Sequence, residues 1–165
     1  MPTRRRRLPI VRLGDPILRR TAAELPVEEV GSRDFQRFVD RLLRAMRGAE
    51  GVGLAAPQVG VSSRLFVWGA LPEIAEQVVI NPLVEPTSPA IVEGWEGCLS
   101  IPGLRGLVPR FRRVRLRGLD RFGEPIDRRI ADLAADLTEH FEHTTGQIGR
   151  AWVDHRVVIG KRHVA

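Results

Sequence analysis

The stretch Leu137-Thr-Glu-His-Phe-Glu-His-Thr-Thr-Gly146 packs two imidazoles and two carboxylates into the five residues from Glu139 to His143. On a helix of about 3.6 residues per turn, Glu139 and His143 stand one turn apart on one face, with His140 about 100 degrees around from Glu139. That spacing lets a helix offer two ligands to one metal and a third group to a bound water. Leu133, Leu137 and Phe141 recur every four residues, and Ile130 and Ala134 join their apolar stripe, which predicts a helix ended by Gly146. The opposite face carries Asp132, Asp136, Glu139 and His143. Taken alone, that face reads more simply as solvated and polar with two incidental histidines. A metal needs a further ligand, and the rest of the chain has to supply it.

The whole chain bounds the answer. At 165 residues, with 43% hydrophobic and 28% charged residues, it fits one domain over 1–165 with a sizeable core and no long C-terminal extension. The single cysteine, Cys98, excludes an intramolecular disulfide framework. No N-terminal apolar run has the length of a signal peptide or membrane span, so the expected location is the cytoplasm, without membrane contact. A net charge of +6 and the run Arg4-Arg-Arg-Arg7 raise a weak ribosome or RNA contact as one reading. The other reading is a plain solvated basic face. Arginines over residues 105–129 alternate with apolar residues, as on the outer side of strands, and few aromatics are available for base stacking.

Residues 1–31, rich in Arg and Pro, read as an extended entry segment that wraps the surface, with a turn at Gly14-Asp15-Pro16. Phe35, Phe38, Val39, Leu42, Leu43 and Met46 then mark an amphipathic helix, with Ser32 or Asp34 to cap its start and Gly48 to end it. Gly51-Val-Gly-Leu-Ala-Ala-Pro-Gln-Val-Gly60 reads as a tight loop of small residues whose one side chain with both donor and acceptor capacity is Gln58. Leu65-Phe-Val-Trp68, Val78-Val-Ile80 and Ile91-Val92 are strand candidates, the second closed by Asn81-Pro82. Glu96-Gly-Cys-Leu-Ser100 sits in a segment bounded by breakers. Val114, Leu116 and Leu119 lead to a turn at Asp120-Arg-Phe-Gly-Glu-Pro125, from which Ile126 to Ile130 return as a hairpin partner. Ala151-Trp-Val153 reads as a last short strand.

Three of these stretches, in this order and at similar separations, resemble the three motifs of the peptide deformylases: Gly51 to Gln58, Glu96 to Ser100, and the helical Glu139-His-Phe-Glu-His143. The likeness spans about Leu8 to Asp154. It implies an α+β fold in which a small mixed or antiparallel set of strands surrounds one central metal-binding helix. It also implies that Gln58 and the backbone of Gly53 meet the substrate, that Cys98 is a thiolate ligand, and that the Leu99 N–H helps hold the developing oxyanion. Glu96 is expected to be structural, with Arg110 as its ion-pair partner.

The third motif departs from the family order His-Glu-x-Asp-His. Here Glu139 stands where the first ligand belongs, His140 where the base belongs, and Glu142 replaces the aspartate. Thr138 and Asp136 also differ from the family's glutamine and apolar residue, and three extra residues precede Val153-Asp154. The resemblance therefore implies metal ligands Cys98, Glu139 and His143, with His140 as the base. A second arrangement uses His140 and His143 as ligands with Glu139 as base, and a third binds no metal. The implied cofactor is one divalent ion, iron or zinc, with nickel an option. Two anionic ligands would formally neutralise it and lower its acidifying power, which predicts reduced activity.

The function implied is a metal-dependent amide hydrolase that removes the formyl group from the N-terminal methionine of new polypeptides. Two other readings stand beside it: a relative acting on another formylated or acylated small amide, and a catalytically degenerate binding protein. Oligomeric state stays open.

Overall fold

The computed structural model describes residues 8–69, 76–131 and 158–161, the last four as backbone only. Its one α-helix among the described residues, α1 (Arg33–Gly48), forms where the apolar period predicts it. Ser32 caps it by accepting a hydrogen bond from the Phe35 N–H at 3.1 Å. Phe35, Val39, Leu42, Leu43, Ala45 and Met46 are buried, and Phe38 packs partly buried against the same cluster.

Five strands form the main sheet in the order β1-β2-β3-β6-β7: β1 (Gly53–Ala55), β2 (Leu65–Trp68), β3 (Gln77–Pro86), β6 (Arg113–Leu119) and β7 (Pro125–Ala131). All four pairings are antiparallel. One face packs Leu54, Leu65, Val67, Val78 and Ile80 with α1, and the other gathers Ala55, Phe66, Trp68, Val79 and Leu116. Apolar contact on both faces explains why β2 is a continuous apolar run instead of an alternating one. A second sheet, β4-β5-β8, contains the long hairpin of β4 (Ile91–Cys98) and β5 (Ile101–Phe111), with β8 (Val158–Lys161) paired to β5.

Several expectations change. Residues 8–31 are more than a surface wrap: they hold 3₁₀ turns at Pro16–Arg19 and Val27–Glu29, Val30 and Ala22 are buried, and Leu8, Ile10 and Leu25 pack against the core. The supposed loop at 51–60 contains strand β1 and a 3₁₀ turn at Ala56–Val59, both buried. Asn81-Pro82 does not close β3, because Asn81 takes a left-handed φ of 48° where the register with β6 shifts, and the strand continues. The breaker-bounded segment around Cys98 is the turn of the β4-β5 hairpin. Ile130 belongs to β7, not to a helix. The predicted helix at 132–146 and the strand at Ala151 to Val153 lie outside the described residues.

Gly118 shows how tightly β3 and β6 meet, since a Cβ there would stand 2.7 Å from the Ile80 carbonyl oxygen and 3.1 Å from Val79 Cγ1. The clash is with backbone, so Gly118→Ala should lose about 1–3 kcal/mol of stability, read as a lower urea midpoint. A second prediction concerns acid. Arg47, at the end of α1, ion-pairs Glu76 just before β3, and its hydrogen bond holds the Glu76 carboxyl below the ordinary value of 4.5. A depressed carboxyl stabilises the fold above its unfolded value and loses that contribution as pH falls through the folded one. Glu76→Gln should therefore lower Tm slightly above pH ~5 and converge with the parent in stronger acid.

Candidate active site

Gln58 and Cys98 come together through the local shape of two short segments. Pro57 sits in the first turn of a 3₁₀ segment at Ala56–Val59 and Gly60, at a φ of 81°, ends it. The turn brings Gln58 back toward Ala55, whose N–H donates to Gln58 Oε1 at 2.8 Å. The amide nitrogen then points the other way and donates to Cys98 Sγ at 3.6 Å. Gln58 is fully buried, so both ends of its amide need partners. An N–H donated to sulfur favours the thiolate over the thiol, the form that a metal ligand requires. Among the described residues Cys98 is thus a single side chain of the type that could serve as one ligand of a metal.

Cys98, Leu99, Gly53, Gly51 and Trp95 line one cavity of about 380 Å³. Gln58 lies buried behind that wall and reaches it through Cys98. Leu99 also packs against the α1 core. Its side chain occupies the space that a Cβ on Gly51 would need: such an atom would come within 2.6 Å of Leu99 Cδ1. Gly51 was missed as a site residue, although its place at the head of a small-residue run is a signal of close approach. Gly53 is buried in β1, opposite Trp68.

The two motifs are tied from outside by the entry segment. The Val11 N–H donates to the Gln58 carbonyl and the Leu13 N–H to the Ser100 carbonyl, both at 2.9 Å. Beneath β4, Arg110 donates from Nε and Nη2 to Glu96 Oε1 and Oε2 at 2.9 and 2.7 Å, with both side chains at 5% exposure or less. The expected pair forms, two positions along β4 from Cys98. Among the described residues no group of three His, Cys, Asp or Glu side chains could hold a metal ion. Glu139, His140 and His143 lie outside the described residues.

An α+β fold with an amide-ordered thiol lining a cavity has the outline of a hydrolase site. Comparison with known proteins then fixes the family. The family model for polypeptide deformylases matches residues 7–155, a span that includes all three motifs. Peptide deformylase 1 of Bordetella pertussis is 40% identical over 148 residues, covering 84% of this chain and 83% of that one. A solved peptide deformylase from Legionella pneumophila is 35% identical at a TM-score of 0.75, covering 84% of this chain and 80% of that one. The Met-Ala-Ser-bound class I type b peptide deformylase from Acinetobacter baumannii is 29% identical at a TM-score of 0.77, covering 84% and 94%.

This chain belongs to the peptide deformylase family. It is a hydrolase acting on a C–N amide bond, so the binding-protein reading is set aside. The family uses a single divalent metal ion. Among the described residues no helix is long and apolar enough to cross a membrane.

Removing one partner of the buried pair leaves an uncompensated charge. Arg110→Met should therefore cost about 3–5 kcal/mol of stability. Adding Glu96→Leu should recover much of that loss, and chemical denaturation of the single and double variants measures both changes.

Proposed function

We propose that this protein removes the N-formyl group from the N-terminal methionine of new polypeptides, through a divalent metal held by Cys98, Glu139 and His143. The observation that carries this reading is the Gln58 amide, locked by Ala55 and aimed at Cys98 beside the Leu99 backbone. When bound, the metal supplies Lewis-acid stabilisation of negative charge on the formyl oxygen. Gln58 Nε2 and the Leu99 N–H are donors for that oxygen as the carbonyl carbon becomes tetrahedral. Gly53 and the edge strand β4 border the cavity from two sides, which suits an extended peptide backbone between them. His140 takes a proton from the attacking water and returns it to the departing amine, so the C–N bond breaks as formate and a free amino terminus are released. The Met-Ala-Ser peptide bound to the Acinetobacter baumannii relative supports a peptide as substrate.

The exchanged order of Glu139 and His140 sets the expected strength. Two anionic ligands leave a divalent ion formally neutral, so turnover is lower than with a cysteine and two histidines. The protein is read as one domain over 1–165, with iron, zinc or nickel all compatible with the donors. The arginine surface does not enter this reading, because Arg115 pairs with Asp127 and Arg117 with Glu85 across neighbouring strands.

The test is metal content of protein purified without oxygen, paired with hydrolysis of formyl-Met-Ala-Ser on the same sample. About one metal per chain with release of formate is expected. Metal without turnover of any formyl-methionyl peptide would shift the substrate to another amide, and no metal after reconstitution would sink the assigned site. Cys98→Ser should lose most of the metal. Glu139→His combined with His140→Glu should raise kcat/KM by about tenfold or more.

A further inference from the structure

The deformylase reading accounts for Cys98 and its neighbours and leaves the outer face of the main sheet unused. Val114 and Leu116 of β6 are buried, so Arg113, Arg115 and Arg117 alternate to the other face, where Asp127 and Arg129 of β7 and Glu85 of β3 join them. Two of these arginines are neutralised in place. Arg115 donates from Nε and Nη2 to Asp127 Oδ1 and Oδ2, and Arg117 Nη2 donates to Glu85 Oε2 at 2.8 Å. Both carboxylates are thereby engaged, and no carboxylate pairs with Arg113 or Arg129 among the described residues.

These two arginines share a cavity. Arg113 stands opposite Ala131 and Arg129 opposite Arg115, so they are diagonal neighbours on one face, roughly 7–8 Å apart at their backbones. Two guanidiniums at that spacing can close on one anion from both sides, each with a planar fork of N–H donors. With Thr87, Ile130 and Ala131 they line a space of about 330 Å³. The Thr87 N–H donates to the Arg113 carbonyl at 2.9 Å, which fixes its backbone there, and its hydroxyl is a third donor. A tetrahedral anion, a few waters in size, does not fill that volume, which leaves Ile130 and Ala131 as a wall for an organic group.

We propose that Arg113, Arg129 and Thr87 form a binding site for the phosphate monoester group of a small molecule whose organic part rests on Ile130 and Ala131. A carboxylate brings one charge and two acceptor oxygens, enough for one guanidinium fork. A phosphate monoester brings three oxygens and a charge of about −1.5 to −2 near neutral pH, enough for both. The site is separate from the catalytic cavity: among the described residues the two share no lining residue, and β4 runs about 24 Å from Ile91, near Thr87, to Cys98. It therefore stands or falls independently of the deformylase reading.

The experiment is calorimetric titration of the full metal-loaded chain at low salt with phenyl phosphate, benzoate and unphosphorylated hexauridylate. Phenyl phosphate should bind once per chain and about tenfold or more tighter than benzoate. Arg113→Gln and Arg129→Gln, both at exposed positions, should each weaken it about tenfold, and the double variant should abolish saturation. Arg44→Gln, which removes one charge from the exposed side of α1, and Cys98→Ser should leave the affinity unchanged. No saturation in the parent, equal affinity for benzoate, or an affinity unmoved by either arginine variant overturns the proposal. So does loss of binding in Cys98→Ser, which would put the anion on the metal. Hexauridylate bound through Arg113 and Arg129 without phenyl phosphate binding would overturn it too, by making this face a nucleic-acid contact.

Discussion

The described half of the site depends on the orientation of one buried amide. Gln58 has one acceptor end and one donor end, and the Ala55 N–H claims the acceptor. The donor end must then face Cys98, and a flipped amide would set two donors against each other in a place without solvent. Leaving such a buried group unsatisfied costs about 1–3 kcal/mol, enough to hold essentially one orientation. Ala55 can make that claim because it sits three residues before Gln58, at the point where β1 gives way to the 3₁₀ turn. The small side chains of that run let β1 and the turn pack fully buried against α1. A bulkier sequence would move the amide, and with it the proton donor facing the sulfur.

The rest of the framework keeps Cys98 where that amide can reach it. The Glu96–Arg110 pair binds the two strands of the hairpin on the face away from Trp95, and it is bidentate, so it fixes orientation as well as distance. The entry segment touches both halves, through Val11 on Gln58 and Leu13 on Ser100, and so limits how far the hairpin can move from the 3₁₀ turn. Leu99 is held between these constraints by the empty side of Gly51. Its backbone position is thus a consequence of core packing, which is how a donor on a turn gains the precision of one on a strand.

How much of this was legible beforehand follows from what kind of signal each part carries. Helix α1 and the β6-β7 hairpin could be read because periodicity and turn residues are local, and Ser32 and Asp120 announce themselves by type. The Glu96–Arg110 pair was legible only through the family resemblance, because the β4-β5 hairpin that brings the two charges together was not itself read from the sequence. The strand inside Gly53-Leu-Ala55 was not legible, since glycine and alanine have weak strand preference and their extended state comes from pairing with β2. The extent of β4 was hidden for the same reason, its glycines at 94 and 97 reading as breakers. The place of Trp95 was hidden too, because only the fold shows that it lines the cavity. The assignment of Glu139, His140 and His143 rests on motif order alone, because those residues lie outside the described residues.

Exchange of Glu139 and His140 is a different kind of change from the loss of a ligand. Both chemical types remain, in adjacent positions, within the span the family model matches. On the helix expected from the sequence, adjacent positions would differ by about 100 degrees in direction and 1.5 Å in rise, so the exchange would move each role to a side chain of different length on a different bearing. A carboxylate can still ligate and an imidazole can still move a proton near neutral pH. In the proposed site, however, the anionic charge comes to lie on the metal and leaves the position beside the substrate. The Lewis acid would there be weakened, and the base would be neutral instead of anionic in its working form. The Gln58 and Leu99 donors would then carry a larger share of oxyanion stabilisation, which would make the fixed orientation of that one buried amide more consequential than beside a stronger metal.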